Sequence, residues 1–240
     1  MTSTQPFNIA IDGPVAAGKG TVSKLLAERL GFLYVDTGAM YRAVALLTLR
    51  HQVDPQQEAE VVALLNDVEL EVRKPAPEEK DGRLITIILI NQSTGEREDI
   101  SWSIRTEEVS RIVPLVAQHP QVRQILVGWQ QQIAAQQQVV MEGRDITYRV
   151  LPAANLKIFL TASIEERARR RWEQILAKGE DVELEKVKED LIKRDELDSN
   201  RATDPLKKVP DAWEVDTTNL DIDEVVALIE ERVVELSQAS

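Results

Sequence analysis

The chain has 240 residues, with 29 Lys and Arg against 41 Asp and Glu, a net charge of −12. Apolar residues make up 43% and aromatic ones 4%. Such a chain folds around a sizeable core, and it is suited neither to wrapping on nucleic acid nor to stacking single-stranded bases. There is no cysteine, and His51 and His119 are the two histidines, so disulfides, thiolate metal sites and a Cys nucleophile are excluded and a His-based triad is not expected.

The opening MTSTQPFNIAIDGP carries neither a cationic start nor a long apolar run, and no stretch reaches the length of a membrane span. A cytoplasmic, monomeric protein with no membrane or nucleic-acid partner is expected.

Phe7 to Ile11 reads as a short buried strand. It runs directly into Gly13-Pro14-Val15-Ala16-Ala17-Gly18-Lys19-Gly20-Thr21. Val22, Leu25, Leu26 and Leu30 then recur with helical spacing, and Gly31 stands where a helix-ending glycine belongs. Phe32 to Val35 reads as a second strand and Ala39 to Arg50 as a second helix. Residues 55–66 look helical.

From Val68 the pattern changes. Val68 to Val72 alternates, Lys74-Pro75-Ala76-Pro77 interrupts, Asp81-Gly82 turns, and Leu84 to Ile90 resumes. This predicts a small antiparallel insert over 67–100. Thr106 to Gln137 is expected to be helical, divided near Pro114 and again at His119-Pro120, with Pro120 in the first turn of the next helix. Val139 to Met141 and Leu156 to Leu160 read as buried strands.

Ser163 with Glu166 makes a capping box that opens a helix from Ile164 to about Lys178. Residues 180–201 are highly charged and read as helical. Ala212 to Val215 is a last strand, and Asp221 with Glu224 caps a final amphipathic helix. Strands alternating with helices predict an α/β fold whose parallel sheet is covered by helices on both faces.

Gly13-x4-Gly18-Lys19 between a strand and a helix is a phosphate cradle. The glycines let backbone N–H groups turn toward one anion, and the helix start adds partial positive charge. Lys19 is placed at the β- and γ-phosphates of a nucleoside triphosphate. In a chain this acidic, the run Arg167, Arg169, Arg170 and Arg171, followed by Arg194 and Arg201, suits the approach of two phosphate groups. As a helix face, the run also suits pairing with Glu165 and Glu166.

Gly18-Lys19-Gly20-Thr21 is similar to the loop ending of nucleoside monophosphate kinases. Asp36-Thr37-Gly38-Ala39-Met40-Tyr41-Arg42, Ile104-Arg105-Thr106, Gly143-Arg144-Asp145 and Lys193-Arg194-Asp195 to Asn200-Arg201 resemble the motifs of bacterial cytidylate kinases. The resemblance runs from about Phe7 to about Leu236. It implies a single P-loop NTPase domain over 1–240, with an acceptor-side β subdomain at 67–100 and a helical lid and phosphate clamp at 163–201. It also implies ATP-dependent phosphorylation of CMP and dCMP to the diphosphates.

Residue by residue, the resemblance places Gly13 to Thr21 around ATP. Lys19, Arg170, Arg194 and Arg201 take catalytic positions. Thr37, Arg42, Arg105, Arg144, Asp145, Arg194, Asp198 and Arg201 take the acceptor, with Arg105 and Asp145 reading the cytosine edge. Mg2+ is implied as cofactor, with Glu142 holding it through water. The sequence departs from the family twice: Glu142 replaces the usual Asp, and Ile146-Thr147-Tyr148-Arg149 replaces a Gly-Thr that ordinarily follows Arg-Asp-Ile.

Three other readings fit less of the sequence. A kinase for another pyrimidine monophosphate is the nearest of them. A small-metabolite kinase would need a base for a hydroxyl and fewer arginines. A regulatory nucleotide switch would carry an Asn-Lys-x-Asp string, which is absent.

Overall fold

The computed structural model describes residues 6–177, 179–201 and 203–238. In chain order the regular elements are β1 (Asn8–Asp12), α1 (Lys19–Leu30), β2 (Leu33–Asp36), α2 (Thr37–Arg50), α3 (Glu58–Leu65), β3 (Val68–Arg73), β4 (Thr86–Asn91), β5 (Arg97–Asp99), α4 (Glu107–Val116), α5 (Pro120–Gln136), β6 (Val139–Gly143), β7 (Leu156–Thr161), α6 (Ile164–Leu176), α7 (Leu184–Ser199), β8 (Trp213–Asp216) and α8 (Ile222–Gln238). They include a five-stranded sheet and a three-stranded one. The chain divides into two compact units, one containing 33–139 and the other 7–32 with 140–240.

In the second of these units the strands follow the order β6-β1-β7-β8. Ile9 pairs in parallel with Leu156 and Ile158 with Trp213. Ile9, Ile11, Ile158 and Leu160 are fully buried, as strands covered on both faces require. Gly31 ends α1 in the left-handed region (φ +71°), its N–H returning to the Glu28 carbonyl. Arg29 ties α1 to α8 through Glu230 (3.2 Å) and Asp223. The capping box of α8 is reciprocal: Glu224 N–H donates to Asp221 Oδ1 at 2.8 Å, and Asp221 N–H to Glu224 Oε2 at 2.9 Å. Ser163 caps α6 by accepting from Glu166 N–H. That helix ends at Leu176, and Lys178 lies outside the described residues.

In the other unit, α2 is buried along Ala39, Met40, Ala43, Val44 and Leu47. Asp36 caps it, accepting from Ala39 N–H at 3.2 Å, so the helix begins two residues before the expected Ala39. The insert is a three-stranded antiparallel sheet in the order β3-β4-β5. One face buries Leu70, Val72 and Ile87, and Ile88 is buried on the opposite face. One expectation is corrected: Pro114 does not divide a helix. It lies inside α4 two residues before its last, Val116, where a missing N–H and a ring clash disturb one turn only. The break falls at Ala117–His119, and Pro120 is the first residue of α5.

Candidate active site

The loop between β1 and α1 has a backbone that few side chains tolerate. Gly13 has φ +154°, and a Cβ there would lie 2.0 Å from the Leu160 carbonyl oxygen. Ala16 (φ +61°) and Gly18 (φ +90°) are also left-handed. Gly18 is the N-cap of α1, which therefore has no side-chain cap, and its first turn contains no acid. The helix start keeps its donors and partial positive charge for an external anion. The loop is braced from outside, where Val15 and Ala16 pack on the apolar cluster of Ala168, Val187 and Leu191 from α6 and α7.

Lys19 is buried at this helix start and donates from Nζ to the Pro14 carbonyl at 2.8 Å. Burial drives its ammonium pKa from 10.5 down to about 7, and Arg144 pushes the same way. Glu142, Asp12 and Asp198 pull it back. The lysine thus sits among charges that do not fully compensate its own, a place that a polyphosphate completes.

The arginine run of α6 separates by role. Arg167 is buried and bridges three segments: Nε donates to the Ala162 carbonyl (3.1 Å), and Nη1 to the Val15 carbonyl (3.1 Å) and to Asp195 Oδ2 (2.7 Å). Arg170 reaches the loop. Its Nη1 lies 3.7 Å from the Cβ position of Gly18 and donates to Thr217 Oγ1 at 3.0 Å, while Nη2 donates to the Thr217 carbonyl. Arg169 is exposed and pairs with Glu166 and Glu173 on its own helix.

Behind β6 the charges converge on Asp198. Arg144 Nε lies 2.9 Å from its Oδ2, and Arg194 Nε lies 3.5 Å from its Oδ1. Burial works to raise the Asp198 carboxyl, but Arg144, Arg194 and Arg201 together hold it below the usual range. The Arg194 Nε is buried with no hydrogen-bond partner among the described residues. Arg201 contributes to this field, but its guanidinium turns toward the Asp204 carbonyl, which accepts from Nε at 3.1 Å and from Nη2. Glu142, half-buried at the end of β6, acts on Lys19 as a nearby negative charge. Asp145 is buried at the start of a π-turn, Ile146–Val150, and its carbonyl accepts from Arg149 N–H.

Thr37, Arg42 and Arg105 belong to the other unit. Thr37 is buried as the first residue of α2. Arg42, on the same helix, donates to Ser110 Oγ at 2.6 Å. Burial lowers its guanidinium pKa, Asp36 opposes that, and Arg105 adds repulsion. Arg105 ends a single 3₁₀ turn, Ser103–Arg105, and is exposed.

Sequence reading missed two residues that shape the site. Asp12 accepts from Ile146 N–H (2.9 Å), Thr147 N–H (2.8 Å) and Thr147 Oγ1 (2.7 Å). Burial raises its carboxyl pKa against those bonds and against Lys19. The signal was present, since a carboxylate at the end of a buried apolar strand must find donors. Thr217, just past β8, places its buried hydroxyl against Arg170 and 3.4 Å from the Ala17 carbonyl.

The model of the Cytidylate kinase family matches residues 9–235. The chain is 50% identical over 230 residues to the cytidylate kinase of Geobacillus kaustophilus (strain HTA426), covering 96% of each. It is 49% identical over 225 residues to that of Geobacillus thermodenitrificans (strain NG80-2), covering 94% of this chain and 95% of the relative. Against that of Bacillus subtilis (strain 168) the identity is 44% over 232 residues, covering 97% and 98%.

Proposed function

The chain belongs to the cytidylate kinase family, and from that premise we propose how its own residues carry ATP-dependent phosphorylation of CMP and dCMP to CDP and dCDP. The carrying observation is the buried Lys19 at the uncapped start of α1, inside a loop whose left-handed glycines turn donors toward one anion.

Residues Gly13 to Thr21 hold the triphosphate, with Lys19 between the β- and γ-phosphates. The triphosphate brings the negative charge that Lys19 lacks, so the lysine is protonated in the complex. Arg170, beside Gly18, lies on the donor phosphates. Arg42, Arg144 and Arg201 hold the phosphate of the acceptor, with Thr37, Arg194 and Asp198 beside its phosphate and pentose. An oxygen of that phosphate is the nucleophile, and it is already anionic near neutral pH, so no general base is needed. Transfer is an in-line displacement driven by positioning and charge neutralisation. Residues 67–100 belong to the acceptor side, and 163–201 form the lid and clamp that exclude water.

No group of three or more acidic or histidine side chains among the described residues could cage a metal. That fits Mg2+, which keeps most of its waters and takes phosphate oxygens with few carboxylates. Glu142 would hold it through water. Bound there, the ion would neutralise charge on the phosphates. Among the described residues no helix is long and apolar enough to cross a membrane; we place the protein in the cytoplasm as a monomer without a nucleic-acid partner.

The test is a coupled ADP-release assay across the common nucleoside monophosphates. CMP and dCMP should support turnover. Arg42→Ala and Arg201→Ala should impair use of CMP far more than binding of ATP. Equal damage to both substrates would remove the acceptor-side assignment.

A further inference from the structure

The π-turn after β6, Ile146–Val150, has specific partners elsewhere in the chain. Thr147 joins its own N–H and hydroxyl to Asp12, which fixes the turn to the end of β1. Tyr148 then reaches a different segment, its hydroxyl donating to the Pro205 carbonyl at 2.6 Å. Lys207 Nζ lies 4.3 Å from the centre of the tyrosine ring, a cation–π contact. Arg149 Nε lies 3.7 Å from Asp204 Oδ2. The segment so held is the one that orients Arg201, because the Asp204 carbonyl accepts from the Arg201 Nε and Nη2.

Two successive carbonyls therefore have different holders, Arg201 on Asp204 and Tyr148 on Pro205. Asp204 has φ +49°, a left-handed conformation that Asp tolerates better than most non-glycine residues. Tyr148 holds the very next residue through its carbonyl. Its hydroxyl stays protonated, and so a donor, because burial, Asp145 and Asp204 all raise its pKa well above that of a free phenol.

We propose that Tyr148 is a positioning residue for Arg201: it fixes the 204–207 segment so that the Asp204 carbonyl presents the Arg201 guanidinium to the acceptor phosphate. The inference rests on the acceptor-side reading of Arg201 given above. Tyr148 touches no substrate in this account and acts only through Arg201.

The experiment is a double-mutant cycle with Tyr148→Phe and Arg201→Ala, reading KM and kcat separately for CMP and ATP. Tyr148→Phe keeps the ring and its cation contact and removes one hydrogen bond. It should raise KM for CMP about threefold to tenfold, leave KM for ATP within about twofold, and have no further effect on CMP in the Arg201→Ala background. Tyr148→Leu, which also loses the ring contact, should raise KM for CMP further, and Tyr148→Phe should recover part of that loss. If Arg201→Ala leaves CMP use intact, the acceptor reading fails and this proposal fails with it. If Arg201→Ala impairs CMP use but Tyr148→Phe changes nothing, damages both substrates equally or adds its full effect to that of Arg201→Ala, the positioning role alone is overturned.

Discussion

The Lys19 ammonium donates to the carbonyl of Pro14, five residues earlier in the same loop. In this state the ammonium is bound by the loop's own backbone, buried, with its pKa near 7. The unfolded chain keeps that proton up to pH 10.5, whereas the folded chain keeps it only to about 7. Between those values the unfolded state binds more protons, so this group makes stability rise with pH. Its penalty is full below pH 7 and fades toward 10.5.

Lys19→Met should therefore raise Tm in the absence of nucleotide at pH 6–7, by a margin that narrows as the pH climbs toward 10. Phosphoryl transfer should fall about a thousandfold or more, as for other preorganised cations at transferring phosphates. Thermal melts across that pH range and a turnover assay check both. A lower Tm for the Met variant at pH 6–7 would contradict the buried-charge account.

Gly13→Ala brings a Cβ to 2.0 Å from the Leu160 carbonyl at φ +154°. Backbone meets backbone, and neither β1 nor β7 can move without breaking their pairing. A loss of about 3 kcal/mol or more is expected in chemical denaturation. Gly31→Ala is the control: its φ is +71°, but nothing lies within 4 Å of the added carbon, so the cost is conformational only, about 1 kcal/mol. Similar losses for the two variants would show that the close approach of Gly13 to β7 is not what decides.

Arg167 and Arg169 are two residues apart on α6 and predict opposite outcomes. Arg167→Ala leaves the Val15 carbonyl and Asp195 without their cation, and the Asp195 Oδ1 is already buried without a partner among the described residues. It should cost about 3 kcal/mol and weaken ATP binding by loosening the loop. Arg169→Ala removes pairs that solvent screens and should leave Tm and turnover unchanged. Denaturation and ATP titration of both variants separate a braced loop from a merely charged helix.

Base choice is the prediction most exposed to the altered turn. The proposed site has Asp145 accept from the cytosine amine and Arg105 donate to its O2/N3 side, and in such a site uracil would set two acceptors against each other. CMP should exceed UMP by at least about a hundredfold in kcat/KM. Asp145→Asn should narrow that gap, because an amide can donate to the uracil O4. Comparable rates on CMP and UMP in the unmutated protein would remove Asp145 and Arg105 from base reading.

What the sequence discloses depends on how local the cause is. The loop, its following helix, Gly31 and the capping pair Asp221–Glu224 were legible because each is settled within a few residues. The edge strand Arg97–Asp99 was not, because its three residues are all polar and exposed, and pairing with β4 alone makes them a strand. The separation of Arg167 from Arg169 was equally hidden. Both lie in the same charged run, and only the distant carbonyl of Val15 and the carboxylate of Asp195 distinguish them. Of the residues named from motifs, Arg144 and Asp198 bear on Lys19, and Arg144, Arg194 and Arg201 bear on Asp198. The residues that hold the site, Asp12 and Thr217, belong to no motif and become visible only through partners far along the chain.

The three hydrogen bonds of Asp12 span 134 and 135 positions of sequence, and this has a consequence for how the protein is made. Synthesis proceeds from the N-terminus, so β1, the loop and α1 leave the ribosome long before Ile146 and Thr147 exist. The unit that contains 33–139 is synthesised before most of the other, whose first 26 residues (7–32) wait for their partners until the C-terminal stretch arrives. At about 5–20 residues per second that interval is several seconds or more, during which the apolar run Ile9–Ala10–Ile11 is open to misassociation and to chaperones. Nascent chains stalled before residue 146 should leave this N-terminal segment more sensitive to protease than it is in the released full-length protein.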